Sequence, residues 1–164
     1  MNIKVKDKNT LIFDNFKFKC CIGKGGFTKS KKEGDKKTPI GTFKLGSLYF
    51  RKDRFKKLES KLKKVPIKKY MGWCDDPNNS KYNKLIKINN KKIRHEKLFR
   101  SDSKYDLLIP IQYNSISYKK GKGSAIFLHL TKDYKKTLGC VAIKKEDMMI
   151  LLKLITKKTK IKIF

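Results

Sequence analysis

The chain is short of acid and shorter still of arginine. It sets 14 acidic residues against 44 basic ones, a formal charge of +30, yet only Arg51, Arg54, Arg94 and Arg100 are arginine and the rest are lysine. Arginine's planar fork is what reads phosphate and guanine bidentately, so this charge is poorly made for sequence-specific recognition. The lysines run from Lys4 to Lys162 without a dominant block, which describes a solvated surface. No specific nucleic-acid partner is expected, although weak attraction to any polyanion follows from the charge itself. With only two alanines beside abundant lysine, isoleucine and asparagine, the composition suits A/T-rich codon usage.

Long apolar runs are missing too. Nothing approaches the roughly 20 residues that cross a bilayer, so no transmembrane segment is expected. The opening Met1-Asn2-Ile3-Lys4-Val5-Lys6-Asp7-Lys8 lacks the apolar centre of a secretory signal. Metal-binding spacing is absent as well: the four cysteines, Cys20, Cys21, Cys74 and Cys140, form no C-x-x-C pair, and there are two histidines. No metal and no cofactor is expected. Adjacent Cys20 and Cys21 point to opposite faces of a strand and do not readily bridge each other. A disulfide from Cys74 to either stays open; buried free thiols are the simpler expectation.

What remains is enough for one domain spanning residues 1–164, with a core of its own, expected to be a monomer. Ile3 and Val5 alternate with lysines, as do Phe16, Phe18 and Cys20, so the opening third reads as a β hairpin or meander. Gly23-Lys24-Gly25-Gly26 lacks the Gly-Lys-Ser/Thr of a phosphate loop and reads as a turn. Thr38-Pro39-Ile40-Gly41-Thr42-Phe43 is a turn leading into a strand. Phe55, Leu58, Leu62 and Val65 suggest a short helix ending before Pro66. Tyr70 to Asn83 reads as irregular, with Trp73 beside Asp75 and Asp76 either plugging the core or lining a cleft. His95-Glu96 falls in a stretch expected to be helical through Phe99. Leu107 to Ile111 reads as a strand in which Pro110 implies an edge or a bulge. Met148, Leu151, Leu152 and Ile155 repeat at helical spacing, with Glu146 and Asp147 at the start and Lys157 and Lys158 near the end complementing the dipole. Lys160 to Phe164 closes as an alternating strand. The fold class expected is mainly β with a few short helices.

Two β-prone runs carry chemistry. Ser124-Ala125-Ile126-Phe127-Leu128-His129 ends in an imidazole, and Thr137-Leu138-Gly139-Cys140-Val141-Ala142-Ile143 presents a thiol. Laid side by side in one sheet, imidazole and thiol would face each other, and an imidazole activates a thiol for attack on carbonyls. Gly139 lets the backbone turn so that N–H groups converge near the sulfur, where an oxyanion would form. Thr137 is placed to bond within that turn or to the imidazole.

Together with Thr38-Pro39-Ile40-Gly41-Thr42-Phe43, Gly72-Trp73-Cys74-Asp75-Asp76-Pro77 and the closing helix and strand, these runs make nearly the whole chain resemble the L,D-transpeptidase catalytic domain (YkuD-like, ErfK/YbiS) family. The resemblance implies a β-sandwich catalytic domain, with Cys140 as acyl-accepting nucleophile and His129 as base and acid. The N–H groups around Gly139 and Cys140 would form an oxyanion hole, with Gly139 and Thr137 counted among the candidate catalytic residues beside Cys140 and His129. Peptidoglycan stem peptides would be the substrate, with Trp73, Asp75, His95 and Ser124 as candidate substrate-binding residues. It implies release of D-alanine and cross-linking to an amine; water as acceptor would make a carboxypeptidase. A thiol amidase on the same scaffold and a non-enzymatic basic polyanion-binding module are the alternatives. Many relatives carry S-H-G-C-x-R, where this chain has Leu138 and Ala142, so another cation must hold the stem's carboxylate: Arg51, Arg94, Arg100 or a lysine. The resemblance also implies a periplasmic or cell-envelope location. No signal peptide is legible, which leaves a cytoplasmic location open.

Overall fold

Short alternating apolar runs dominate the chain, so strands dominate the fold. The computed structural model describes residues 1–89 and 93–164. Within them the elements run β1 (Asn2–Val5), β2 (Thr10–Phe13), β3 (Phe16–Cys21), β4 (Phe27–Thr28), β5 (Thr38–Pro39), β6 (Gly41–Lys44), β7 (Leu48–Phe50) and β8 (Lys64–Pro66). They continue with β9 (Met71–Cys74), β10 (Leu85–Lys87), β11 (His95–Lys97), β12 (Leu107–Pro110), β13 (Phe127–Leu130), β14 (Val141–Ile143), the helix α1 (Lys145–Leu154) and β15 (Lys160–Ile163).

Ten strands form one sheet in the order β6-β15-β1-β2-β3-β14-β13-β12-β7-β8. The sheet curls back on itself. Leu45, just after β6, bridges Ile111, just after β12, and Gln112 N–H donates to the Lys44 carbonyl at 2.9 Å. One core therefore draws on both halves: Ile3, Val5, Ile161 and Ile163 pack with Leu107, Ile109, Leu128 and Val141. From α1, Met148, Leu151 and Leu152 join them, and Ile155 follows just past its end. Each such side chain contributes roughly 1.5–3 kcal/mol on burial, which explains why α1 packs here.

A second, three-stranded sheet, β10-β9-β11, lies over the other face of the central strands. Alternation along β13 and β14 sends Leu128, Leu130, Val141 and Ile143 into the main core. It leaves Phe127, His129, Cys140 and Ala142 on the opposite face. There Phe127 and Cys140 cluster with Leu98, Tyr105 and Leu108, against Met71, Trp73 and Phe99. The residues able to do chemistry lie between the two sheets.

Several local expectations are corrected. No helix forms over 51–65: a single turn closes at Arg51, where the N–H groups of Arg54 and Phe55 donate to its carbonyl, and Lys64–Pro66 is a strand at the sheet edge, where proline's missing donor is tolerated. The stretch 95–99 begins as β11, because pairing with β9 claims its backbone. The segment from Tyr70 is less irregular than expected, since Met71–Cys74 is the central strand of the second sheet. Pro110 ends an inner strand. The register slips by one residue between the Leu107↔Phe50 and Leu108↔Tyr49 pairs and the Leu45↔Ile111 bridge, so Gly46 and Ser47 together oppose Pro110 as a bulge. Lys157 and Lys158 fall beyond α1, whose last turn carries Lys153.

Candidate active site

β13 and β14 are adjacent and parallel, with Leu128 opposite Val141 and His129 opposite Ala142. Continued one residue back, the register sets Phe127 beside Cys140 and His129 diagonally across from it, on the same face. The two runs do lie side by side as their sequences suggest.

The imidazole is oriented by one bond. His129 Nδ1 lies 2.9 Å from the Leu130 carbonyl oxygen; a carbonyl can only accept, so Nδ1 carries the proton and Nε2 is left as the free base. His129 is only 6% exposed. Burial pulls its pKa from 6.5 down to about 4, against the opposing Leu130 hydrogen bond and with help from Lys104 and Arg100. At neutral pH it is an uncharged base.

The thiol is 7% exposed. Phe127 N–H donates to Cys140 Sγ at 3.3 Å, and the S–H donates to the Ala125 carbonyl at 3.3 Å. Burial pushes its pKa up to about 12, the Phe127 N–H pulling the other way. The resting pair is therefore neutral thiol and neutral imidazole. Cys20, Cys21 and Cys74 are buried and free as well.

The turn before Cys140 is stitched from three sides. Gly139 has φ +141°, a conformation that suits glycine, and a Cβ there would stand 3.0 Å from the Lys37 carbonyl oxygen. Thr137 Oγ1 donates to the Cys140 carbonyl at 2.6 Å and accepts the Gly139 N–H at 3.1 Å. Thr38 Oγ1 donates to the Gly139 carbonyl at 2.8 Å. The expected pairing of Gly139 and Cys140 N–H groups in an oxyanion hole is thus altered: the Gly139 donor is already used by Thr137, leaving that of Cys140 as the turn's candidate donor.

The strand approaching Cys140 on its other flank depends on Asn83. Its amide oxygen accepts the Ala125 N–H and the Trp73 indole N–H, both at 3.0 Å, and its amide nitrogen donates to the Tyr113 and Asn114 carbonyls at 3.0 and 2.8 Å. This buried side chain fills all four of its bonding positions. It anchors Ala125, held at φ +52°, whose carbonyl faces the sulfur.

The proposed binding residues divide. Trp73 is half-buried, meets Phe127 edge-on at 5.3 Å between centroids and lines a cleft of about 310 Å³ with Tyr49, Asn83, Ile126 and Phe127. Ser124 is buried and donates to Glu33 at 2.8 Å. Asp75 is paired with Arg94 at 3.1 Å. His95 is on β11 opposite Cys74, its ring against Gly72, so alternation turns it away from Cys140. Its neighbour Glu96 takes the inner face instead and accepts the Tyr105 hydroxyl at 3.0 Å. The Tyr105 ring in turn meets His129 edge-on at 5.2 Å. Sequence spacing did not single out Tyr105 or Asn83, which reach the site through tertiary contacts alone.

Leu138 is 66% exposed and Ala142 fully buried in the sheet. Arg51 forks onto Asp53, donates to the Arg100 carbonyl and stacks on Phe99 at 3.6 Å, whereas Arg100 is held by Asp102. Both are engaged structurally. Among the described residues no helix is long and apolar enough to cross a membrane.

Compared with known proteins, residues 3–163 match the profile of the YkuD family, described as the L,D-transpeptidase catalytic domain. No curated protein and no solved structure matches the chain.

Proposed function

The chain belongs to the YkuD family of L,D-transpeptidase catalytic domains, and from that membership we propose cysteine-dependent acyl transfer on peptidoglycan stem peptides, with Cys140 as nucleophile and His129 as base. One observation carries the residue assignment: thiol and imidazole share a covered face of adjacent parallel strands, with Nδ1–H committed to Leu130 and Nε2 left to take a proton.

The chemistry follows from the resting state. The S–H, turned toward the Ala125 carbonyl, swings to His129 Nε2 when substrate fills the site. The sulfur lone pair attacks the carbonyl of the diamino acid that precedes the terminal D-alanine, and Nε2 takes the thiol proton. The resulting oxyanion meets the Cys140 N–H. Collapse breaks the amide bond, the imidazolium returns its proton to the departing D-alanine amine, and a thioester remains on Sγ. An amine from a second stem then attacks, gives its proton to Nε2 and leaves the two stems cross-linked, with the thiol restored. Water in place of the amine would give the trimmed peptide. Such a reaction belongs at the cell envelope.

The test is intact mass after incubation with a tetrapeptide stem or a carbapenem. A covalent adduct is expected on the wild type and none on Cys140→Ala. A folded wild type that gains no mass under either reagent would overturn the assignment. Product analysis with and without an amine acceptor separates cross-linking from trimming.

A further inference from the structure

Among the described residues one lysine is buried. Lys31 is 4% exposed, in a chain whose other described lysines reach solvent at least in part. An ammonium is costly to bury unless paired. Lys31 Nζ is held by Asp35 Oδ1 and by the Lys32 carbonyl at 3.1 Å. Asp35 is fixed in turn by the N–H groups of Lys32 and Lys37 at 2.8 and 2.9 Å. Burial works against its charge, but those bonds and Lys31 outweigh it and keep its carboxyl below the ordinary range.

The place of this pair is specific. A Cβ at Gly123 would stand 2.8 Å from Lys31 Cγ and 3.1 Å from Cε, and one at Gly139 would stand 3.8 Å from Cε. The lysine tail therefore runs between the turn leading into β13 and the residue before Cys140. The groups that act on the thiol come from each surrounding element: Glu96 from β11, Tyr105 from the loop before β12, Cys21 from β3 and Lys31 from the 31–37 loop, with His129 of β13 on the same face. His129, Cys21 and Tyr105 are neutral at pH 7. Glu96 opposes a negative sulfur, and Lys31 favours it.

We propose that Lys31, braced by Asp35, is the fixed cation that stabilises the Cys140 thiolate, an electrostatic positioning residue for the acyl transfer. The proposal rests on Cys140 being the nucleophile. Its electrostatic content is separable from activity, because it makes opposite predictions for the two partners.

The experiment is site-resolved alkylation of Cys140 by iodoacetamide, followed by peptide mass across neutral to alkaline pH on the full chain. Lys31→Met removes the charge and keeps the stem's length; alkylation at neutral pH should slow about tenfold, its pH profile moving up by about one unit. Asp35→Asn frees the ammonium of its counter-charge; alkylation should quicken and the profile move down. A purely structural pair would shift both variants the same way, and that result would overturn the proposal. So would a folded Lys31→Met with the wild-type profile. If Lys31→Met does not fold, Asp35→Asn decides alone, and an unchanged or slower rate rejects the idea. Failure of the nucleophile assignment would show separately, as no acyl adduct on wild type.

Discussion

The Thr38 hydroxyl donates to the Gly139 carbonyl at 2.8 Å while accepting the Gly23 N–H at 2.9 Å. The Thr-Pro turn and the Gly-Cys turn, 101 residues apart in the chain, are fastened by one side chain. Thr38→Val keeps the shape and removes both bonds, leaving a buried carbonyl and N–H unpaired. The expected loss is about 1–3 kcal/mol in urea denaturation, with slower adduct formation on Cys140. Thr38→Ser should recover most of both.

Gly139 tests the same turn from inside. Its φ of +141° and the 3.0 Å separation between the Lys37 carbonyl oxygen and any methyl added there leave alanine both strained and crowded. Gly139→Ala should cost on the order of 1–3 kcal/mol and slow acylation by about tenfold or more, as seen in the rate of mass gain. Wild-type acylation in a folded Gly139→Ala protein would show that the turn tolerates a side chain.

Asn83 supplies a spectroscopic reading, because Trp73, whose indole it accepts, is the chain's only tryptophan. Asn83→Leu strands the Trp73 and Ala125 N–H groups and two carbonyls. It should destabilise the fold by about 3 kcal/mol or more and shift the emission of Trp73. An unchanged spectrum would mean that another acceptor takes the indole.

His129 makes stability depend on pH in a defined direction. Its native pKa of about 4 lies below the ordinary 6.5, so the unfolded chain takes up a proton that the native state refuses. Stability is whole above pH 6.5, falls as pH drops from there toward 4, and loses no more to this group below that. The gap corresponds to about 3 kcal/mol. Urea titrations at stepped pH should show that decline in the wild type and a flatter line in His129→Gln. Asp102, held at about 2 mainly by the Arg100 hydrogen bond, loses its contribution only as pH falls from 3.8 toward 2, so the two windows are distinct.

Much of the architecture could be read locally. Alternation with period two marks β1, β3 and β15, and the face of α1 is plain in Met148, Leu151 and Leu152, because each pattern is complete within one element. That the runs carrying His129 and Cys140 lie side by side was legible because both are β-prone. Glu96, Tyr105, Asn83 and Lys31 were not legible as parts of the site, because their approach depends on how the second sheet and the 31–37 loop lie across the first. Residues 51–65 misled for a physical reason. Phe55, Leu58 and Leu62 have helical spacing, but each is buried in the main core while arginines claim the local backbone geometry. Arg51 reaches the Arg100 carbonyl, and Arg54 reaches the Ser101 and Asp102 carbonyls and the Asp106 carboxylate. These bonds tie the segment to a distant loop instead of to a helix of its own.

The position of β15 has a consequence for the order of assembly. It lies between β1 and β6, parallel to the first and antiparallel to the second, so those two N-terminal strands never bond to each other and are joined by residues 160–163. During synthesis β1 and β6 would each wait with an unpaired edge while residues 45–159 are made, and this side of the sheet would close around β15. Long-range pairing of this kind folds slowly, and until it is complete the open edges invite pairing with other chains.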